Sequence, residues 1–340
     1  MPTIEPMEAR SVDALPSGEQ WRFEPKWDGF RCILVRHGDT AALRSKSGED
    51  LTRYFSELVE AALKIKSQTF VLDGEIVVPD GNTFSFDALL QRIHPAASRV
   101  ARLAEETPAL FIAFDLLAAG PADLTGRRLA ERRVELERFA RLFKTNDSFR
   151  LSSITADRSK AMHWLKMAGG GFDGVIAKRF DVPYGPGTRD AMQKIKRYRS
   201  ADCVIGGFRY AENKLNGRSV VGSLLLGLYD DDGLLHHVGF TSAIKTAEKA
   251  RLTDKLTAYI AEKSFTGRAP GGPSRWSTRR SAEWTPLKPR FVVEVSYDHF
   301  TGGRFRHGTR ILRWRPDKKA QQCTLDQLRQ KIVSPASLLS

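Results

Sequence analysis

Lys26 sits between Pro25 and Trp27 in the stretch "FEPKWDGFRC", two residues before an Asp28-Gly29 turn and five before Arg31. A lysine attacks electrophiles only as the neutral amine, and neighbouring cations and partial burial make that form accessible. Other candidate groups follow in order. Glu75 lies inside the apolar run "LDGEIVV", where a carboxylate is rare unless paired, metal-bound or hydrogen-bonded. Phe114 and Asp115 lie in "AFDLLA", and Asp173 precedes an apolar triplet in "FDGVIAKRF". Lys194 and Lys196 are two apart in "MQKIKRY", so on a strand they project from one face. Two lysines aimed into one cavity repel unless a polyanion sits between them, and a nucleoside triphosphate is such an anion.

The elements that must position these groups read as apolar runs bounded by Gly, Asp or Pro: "FRCILVRHG", "ALRSKSG", "FVLDGEIVVPD" and "ALFIAFDLLAAG" are strands. Arg53 to Lys66 and Arg127 to Phe143 carry apolar residues at helical spacing. Thr155 is placed to cap a helix through "ADRSKAMHWLKMA" that stops at Gly169-Gly170-Gly171. Strands interleaved with helices predict an α+β or α/β domain. After Ser200 the strands become short and frequent, with one helix from about Thr246 to Lys263. That pattern suits a small β-barrel of the OB type. The expected division is therefore 1–199 and 200–340, the second part ending in a short C-terminal tail.

The chain has 340 residues, 41% of them hydrophobic, and a net charge of +14. The size allows two cores, and the charge excess predicts a polyanionic partner. No apolar run approaches the ~20 residues that span a bilayer, and no basic segment leads into an apolar one at the N-terminus, so neither a membrane span nor a signal peptide is expected. Cys32, Cys203 and Cys323 are far apart, which argues against disulfides or a thiolate zinc site and for a cytoplasmic protein. His236 and His237 would point to opposite faces of a strand, a poor arrangement for a shared metal. Arg275, Arg279, Arg280, Lys288 and Arg290 cluster in and beside a loop of the barrel-like part, where contact with DNA phosphates is the favoured reading.

The ordered segments "KWDGFR", "LRSKSG", "LDGE", "AFDLL", "DGVIAK", "QKIKR" and "RWRPDK" resemble the motifs of the covalent nucleotidyltransferase superfamily of DNA ligases, RNA ligases and capping enzymes. Together with "ADCVIGGFRY", "GSLLLGLYD" and "HVGFTS", they are similar to the small bacterial ATP-dependent DNA ligases of the C type. The resemblance spans about residues 5 to 320. It implies an α+β adenylation domain with antiparallel sheets and flanking helices, followed by an all-β OB-fold barrel domain.

By the same resemblance, Lys26 matches the lysine that becomes lysyl-AMP. Glu24 matches the position whose backbone helps recognise adenine, and Arg31 and Glu75 match contacts on the ribose side. Phe114 matches the aromatic that stacks on adenine, and Lys194 and Lys196 match the pair that grips the α-phosphate. Arg315, Asp317 and Lys318 match the last motif, which orients the leaving pyrophosphate. Asp173, with Glu75, implies a site for Mg²⁺, with Mn²⁺ as the alternative. Two departures stand out. Lys46 occupies a position usually held by arginine, which keeps the charge and loses the planar fork. Asp173 is one methylene shorter than the usual glutamate. The leading arginine of the last motif is either Arg306 or Arg310. The implied enzyme is a monomer acting on nicked double-stranded DNA with ATP, in the nucleoid and in repair rather than replication. The alternatives are an RNA ligase, a capping-type guanylyltransferase and a non-catalytic OB-type DNA-binding protein.

Overall fold

The computed structural model describes residues 4–143, 146–271, 283–329 and 334–339. It divides into two compact units, Met1–Arg197 with Ile332–Ser340, and Tyr198–Lys331. Among the described residues, no helix is long and apolar enough to cross a membrane.

The first unit has two main sheets. One is ordered β1 (Arg10–Ser11), β12 (Met192–Lys196), β11 (Phe172–Arg179), β2 (Trp21–Trp27). The other is ordered β10 (Phe149–Leu151), β8 (Leu110–Ala119), β5 (Thr69–Val77), β3 (Phe30–His37), β4 (Thr40–Ser45), with β9 (Ala122–Asp123) beside β8. A short hairpin joins β6 (Pro79–Asp80) to β7 (Thr83–Phe84). Among the described residues, five α-helices flank the sheets: α1 (Ser56–Leu63), α2 (Phe86–Arg92), α3 (Ala97–Glu106), α4 (Leu129–Phe139) and α5 (Arg158–Met167). Phe55, Leu58, Phe70, Phe111, Leu136 and Phe149 form a core between the second sheet and its helices. Trp21, Phe23, Trp27, Ile112, Trp164 and Val175 form another that locks the two sheets together. Each such side chain contributes about 1.5–3 kcal/mol on full burial, so the two sheets are fixed as a pair.

The helix boundaries differ from expectation for local reasons. The Arg53–Lys66 segment is helical only over Ser56–Leu63, after a 3₁₀ turn at Thr52–Tyr54. Likewise, α4 ends at Phe139 and passes into a 3₁₀ turn over Ala140–Phe143. Asp157, not Thr155, caps α5: its Oδ1 accepts from Ser159 N at 2.7 Å. Thr155 is tied to β2 through two backbone bonds with Phe23, which hold it extended and outside the helix.

The second unit is a six-stranded sheet ordered β15 (Leu235–Thr241), β14 (Val221–Tyr229), β13 (Arg199–Tyr210), β17 (Val292–Tyr297), β20 (Arg310–Trp314), with β16 (Thr285–Pro286) beside β13. A small hairpin pairs β18 (Phe300–Thr301) with β19 (Arg304–Phe305), and α6 (Thr246–Thr257) is shorter than the predicted helix. The central strands are buried along most of their length, around a core of Val204, Phe208, Leu224, Leu226, Val238 and Val293. Among the described residues no ladder pairs β15 with β20, so the expected barrel is not closed by strand pairing. Thr309, just before β20, bridges the gap instead. Its N and Oγ1 donate to Phe240 O at 3.2 and 3.1 Å, and its carbonyl accepts from Thr241 Oγ1 at 2.8 Å.

Candidate active site

The site begins with β2. Side chains alternate along a strand, so Glu24 and Lys26 face one way while Phe23 and Trp27 face the core. Trp27 is pinned by a hydrogen bond from Nε1 to Ser152 Oγ at 3.0 Å and by edge contacts with Phe84 and Phe172. The Asp28-Gly29 turn is fixed twice: Asp28 N donates to Gly171 O at 3.0 Å, and Gly29 N donates to Glu75 Oε1 at 3.1 Å. A Cβ at Gly29 would lie 2.1 Å from Ile76 O, so the close approach of the Lys26 loop to the second sheet requires glycine. The glycines at 169–171 therefore do more than stop a helix, because the carbonyl of Gly171 holds the residue after Trp27.

Strand register builds the cation cluster. Lys26 stands opposite Gly174, and Gly174 opposite Lys196, so two lysines flank a position with no side chain. One step along, Glu24, Ile176 and Lys194 stand in a row. The ladder slips between Phe172 and Gly174, leaving Asp173 as a bulge residue. A bulge re-aims its side chain, and Asp173 reaches both lysines: Oδ1 lies 2.7 Å from Lys26 Nζ and Oδ2 3.0 Å from Lys196 Nζ. Asp173 is 5% exposed, so this carboxylate is a buried negative charge shared by two ammonium groups.

The second sheet supplies the opposite wall. Phe114 is also a bulge residue, falling between the Asp73–Asp115 and Gly74–Ala113 pairs. Lys178 Nζ lies 4.4 Å from its ring centroid and Arg31 Cζ 5.4 Å from it. Arg31 is held by both oxygens of Asp73, at 3.1 and 2.7 Å, and Tyr184 Oη donates to the same carboxylate at 2.7 Å. Lys178 pairs with Glu24 Oε2 at 2.8 Å, both deeply buried. Burial pushes Glu24 above the usual carboxylate range, and the Lys178 ammonium is the main group opposing that. Burial likewise pushes Glu75 up to about 8, against the pull of Lys26 and Arg31. Burial first, and then the charges of Lys26, Lys46 and Lys196, push Lys194 down.

Glu24, Lys26, Arg31, Lys46, Glu75, Phe114 and Lys194 line one cleft, together with Glu8 and Lys178. Lys196 and Asp173 join it through the pair with Lys26. The remaining predicted residues lie in the second unit. Arg315 contacts both oxygens of Asp202 at 3.0 and 3.1 Å and Asp317 at 2.8 Å, while Lys318 Nζ lies 2.7 Å from Asp202 Oδ2. Lys288 and Arg290 are exposed, the latter 5.2 Å from the Tyr259 ring. Arg275, Arg279 and Arg280 lie outside the described residues. His236 and His237 do not share a ligand position: His236 pairs with Asp230 at 2.7 Å, while burial pushes His237 down to about 4.

Sequence reading missed Asp73, Asp202 and Glu8 and gave no partner to Lys178 in "FDGVIAKRF"; Asp73, Lys178, Asp202 and Glu8 hold Arg31, Glu24, the last motif and Lys46 respectively. Each is a partner from a distant strand or segment. The one sequence signal for three of them was an ionisable residue inside an apolar strand, as in "VLDGE", "VIAKRF" and "SADCVIGG".

Asp173 and Glu75 offer the hard oxygen donors that Mg²⁺ prefers, and a buried carboxylate held toward its protonated form gains most from a cation. Their donor chemistry is of the kind a divalent ion takes.

A family model described as "ATP dependent DNA ligase domain" matches residues 6–196, and one described as "ATP dependent DNA ligase C terminal region" matches residues 217–318. The chain is 46% identical to DNA ligase C2 of Mycolicibacterium smegmatis, covering 96% of this chain and 95% of the relative. It is 42% identical to DNA ligase C of Mycobacterium tuberculosis, covering 98% and 96%. A solved structure of mycobacterial DNA ligase D complexed with ATP and MES is 30% identical with a TM-score of 0.51, covering 94% of this chain and 98% of that one.

Proposed function

The chain belongs to the ATP-dependent DNA ligases, and from that premise we propose that it joins nicked DNA through an AMP carried on Lys26. Lys26 Nζ forms a bond to the α-phosphorus of ATP as the α–β phosphoanhydride breaks and pyrophosphate leaves. The amine proton departs with that step. The AMP then passes to the 5′-phosphate of a nick, freeing Lys26. Attack by the adjacent 3′-hydroxyl forms the phosphodiester and expels AMP, and the proposed setting is repair.

The observation that carries this reading is the pairing of Lys26 and Lys196 on one buried carboxylate, with Lys194 beside them in the same cleft. Nucleotidyl transfer needs charge neutralisation and in-line placement more than acid–base chemistry, and the cluster supplies both. Lys194 and Lys196 would take the α-phosphate. Phe114 would stack on adenine, and Arg31, fixed by Asp73, would orient the ribose side. Asp173 and Glu75 would hold Mg²⁺, which when bound draws charge from the phosphate oxygens. Arg315, Asp317 and Lys318 would act on the pyrophosphate side, and Lys288 and Arg290 on DNA phosphates. The resident ion pair of Lys26 with Asp173 keeps the nucleophile in place until a cation competes for the carboxylate or a phosphate for the lysine.

Incubation with α-labelled ATP or GTP tests the reading. Label retained on the protein from ATP, and lost in Lys26→Ala while nicked-DNA binding persists, is expected. Label from GTP alone, or sealing of nicks by Lys26→Ala from ATP, would overturn it.

A further inference from the structure

At the mouth of the cleft one carboxylate bridges two cations that come from different parts of the chain. Glu8 Oε1 lies 2.7 Å from Lys46 Nζ, and Glu8 Oε2 pairs with the Arg189 guanidinium. Lys46 stands on the turn after β4, Arg189 in the approach to β12, and neither is buried. The backbone around Glu8, by contrast, is held on three sides. Met7 N donates to Tyr184 Oη at 3.0 Å, Glu8 N to Thr188 O at 2.7 Å, and Arg10 and Ser11 run parallel to Gln193 and Lys194. The carboxylate is thus delivered to a fixed place, and its side chain alone is left to move. Lys46 first and Arg189 second hold it down to about 2, so it is charged at every pH where the enzyme would act.

The surroundings are rich in cations. Lys26, Lys46 and Lys194 line the cleft with Glu8, and the charges of Lys26, Lys46 and Lys196 add to burial in pushing the Lys194 pKa down. Two oxygens spread over two cations reproduce part of how a phosphate is held. A phosphate brings more charge and a third oxygen. Exposed carboxylate–cation pairs are weak, so exchange of one anion for the other is energetically easy.

We propose that Lys46 and Arg189 form a phosphate subsite at the rim of the cleft and that Glu8 is its internal occupant, displaced when a substrate phosphate arrives. This rests on the ligase reading above and adds to it a competitor that belongs to the protein itself. The incoming group is either the outer phosphates of ATP or the 5′-phosphate of the nick. By screening the rim, Glu8 favours anions able to displace it over singly charged ones.

The test is Glu8→Gln, which keeps the shape and removes the charge, with two readouts. One is the KM for ATP in labelling of Lys26. The other is the affinity of the Lys26→Ala protein for nicked duplexes bearing either a 5′-phosphate or a 5′-hydroxyl. Release of two exposed pairs predicts an improvement of about threefold in one readout. A lower KM for ATP assigns the subsite to the outer phosphates. Tighter binding of the 5′-phosphate nick alone, with a log–log salt slope steeper by about one, assigns it to the nick. Arg189→Met, an exposed substitution, must weaken that same readout, and it serves alone if Glu8→Gln melts early. Unchanged or weakened values in both readouts for Glu8→Gln, or no loss with Arg189→Met, would overturn the proposal. Absence of label on the wild-type protein would instead defeat the lysyl-AMP reading, whatever Glu8 does.

Discussion

The Lys26 cleft and the Arg315 cluster are both groups of cations held by aspartate, but they are built in opposite ways. In the first unit the partners are buried and come from neighbouring strands: Asp173 from a bulge of β11, Asp73 from β5, Glu24 from β2. In the second unit Asp202 of β13 is the buried anchor, while Asp317 is well exposed and pairs with an arginine two residues away. Buried pairs hold their geometry, and removing one partner leaves an uncompensated charge. Exposed pairs are screened and exchange partners cheaply. The first arrangement suits groups that must hold one geometry through a covalent step. The second suits groups that change partners, as the role proposed above for Arg315 and Lys318 requires.

The sharpest way to break that contrast is to remove each anchor. Asp173→Ala should lower the rate of Lys26 labelling by about 10³, the scale of losing a preorganised electrostatic group at the reacting centre. Asp202→Ala should cost about tenfold, because Arg315 keeps Asp317 as a partner. Single-turnover labelling of both variants, checked for folding by thermal melts, gives the comparison directly. Equal losses would mean that the second cluster is as preorganised as the first.

Glu75 sharpens the contrast through pH. Its carboxyl is held up to about 8 by burial, against an ordinary value near 4.5. Between those values the folded protein binds the proton more tightly than the unfolded chain. Stability is therefore fully present below about pH 4.5 and falls as pH rises toward 8. The full loss is on the order of 5 kcal/mol for a shift of this size. Chemical denaturation of the nucleotide-free protein at pH 5 and pH 8 measures it, and Glu75→Gln should flatten the difference. A slope that survives Glu75→Gln would place the titration elsewhere.

Much of this site was legible because its residues carry a local signature. Lys26 announces a turn through Asp28-Gly29. Lys194 and Lys196 share a face by alternation alone, and Glu75 is conspicuous inside an apolar run. What was not legible depends on register. Asp173 and Phe114 owe their aim to slipped ladders, and nothing within "FDGV" or "AFDLL" marks which residue is the extra one. Lys178 is separated from Glu24 by more than 150 residues of chain, and only the pairing of β2 with β11 brings them together. The fold shows the same divide. Alternating strands and most helices follow from pattern, whereas the cap at Asp157 and the closing bonds of Thr309 follow from contacts made across the unit.

Lys46 is where the first unit behaves like the second. Its side chain is 55% exposed, and it pairs with Glu8 rather than with a buried strand carboxylate. Lys46→Arg restores the forked cation usual at this position and leaves the charge unchanged. A buried site would repay that fork, because two parallel hydrogen bonds to a phosphate are worth more where water is excluded. At an exposed rim the gain is bounded by the energy of a screened pair, about 1 kcal/mol at most. The expected outcome is a change of less than about fivefold in sealing rate or in the KM for ATP. Steady-state sealing of a nicked duplex at two salt concentrations checks it. A gain of a hundredfold would show that the rim is desolvated when substrate binds, and the contrast between a rigid interior and an adjustable surface would then have to be drawn inside the second unit alone.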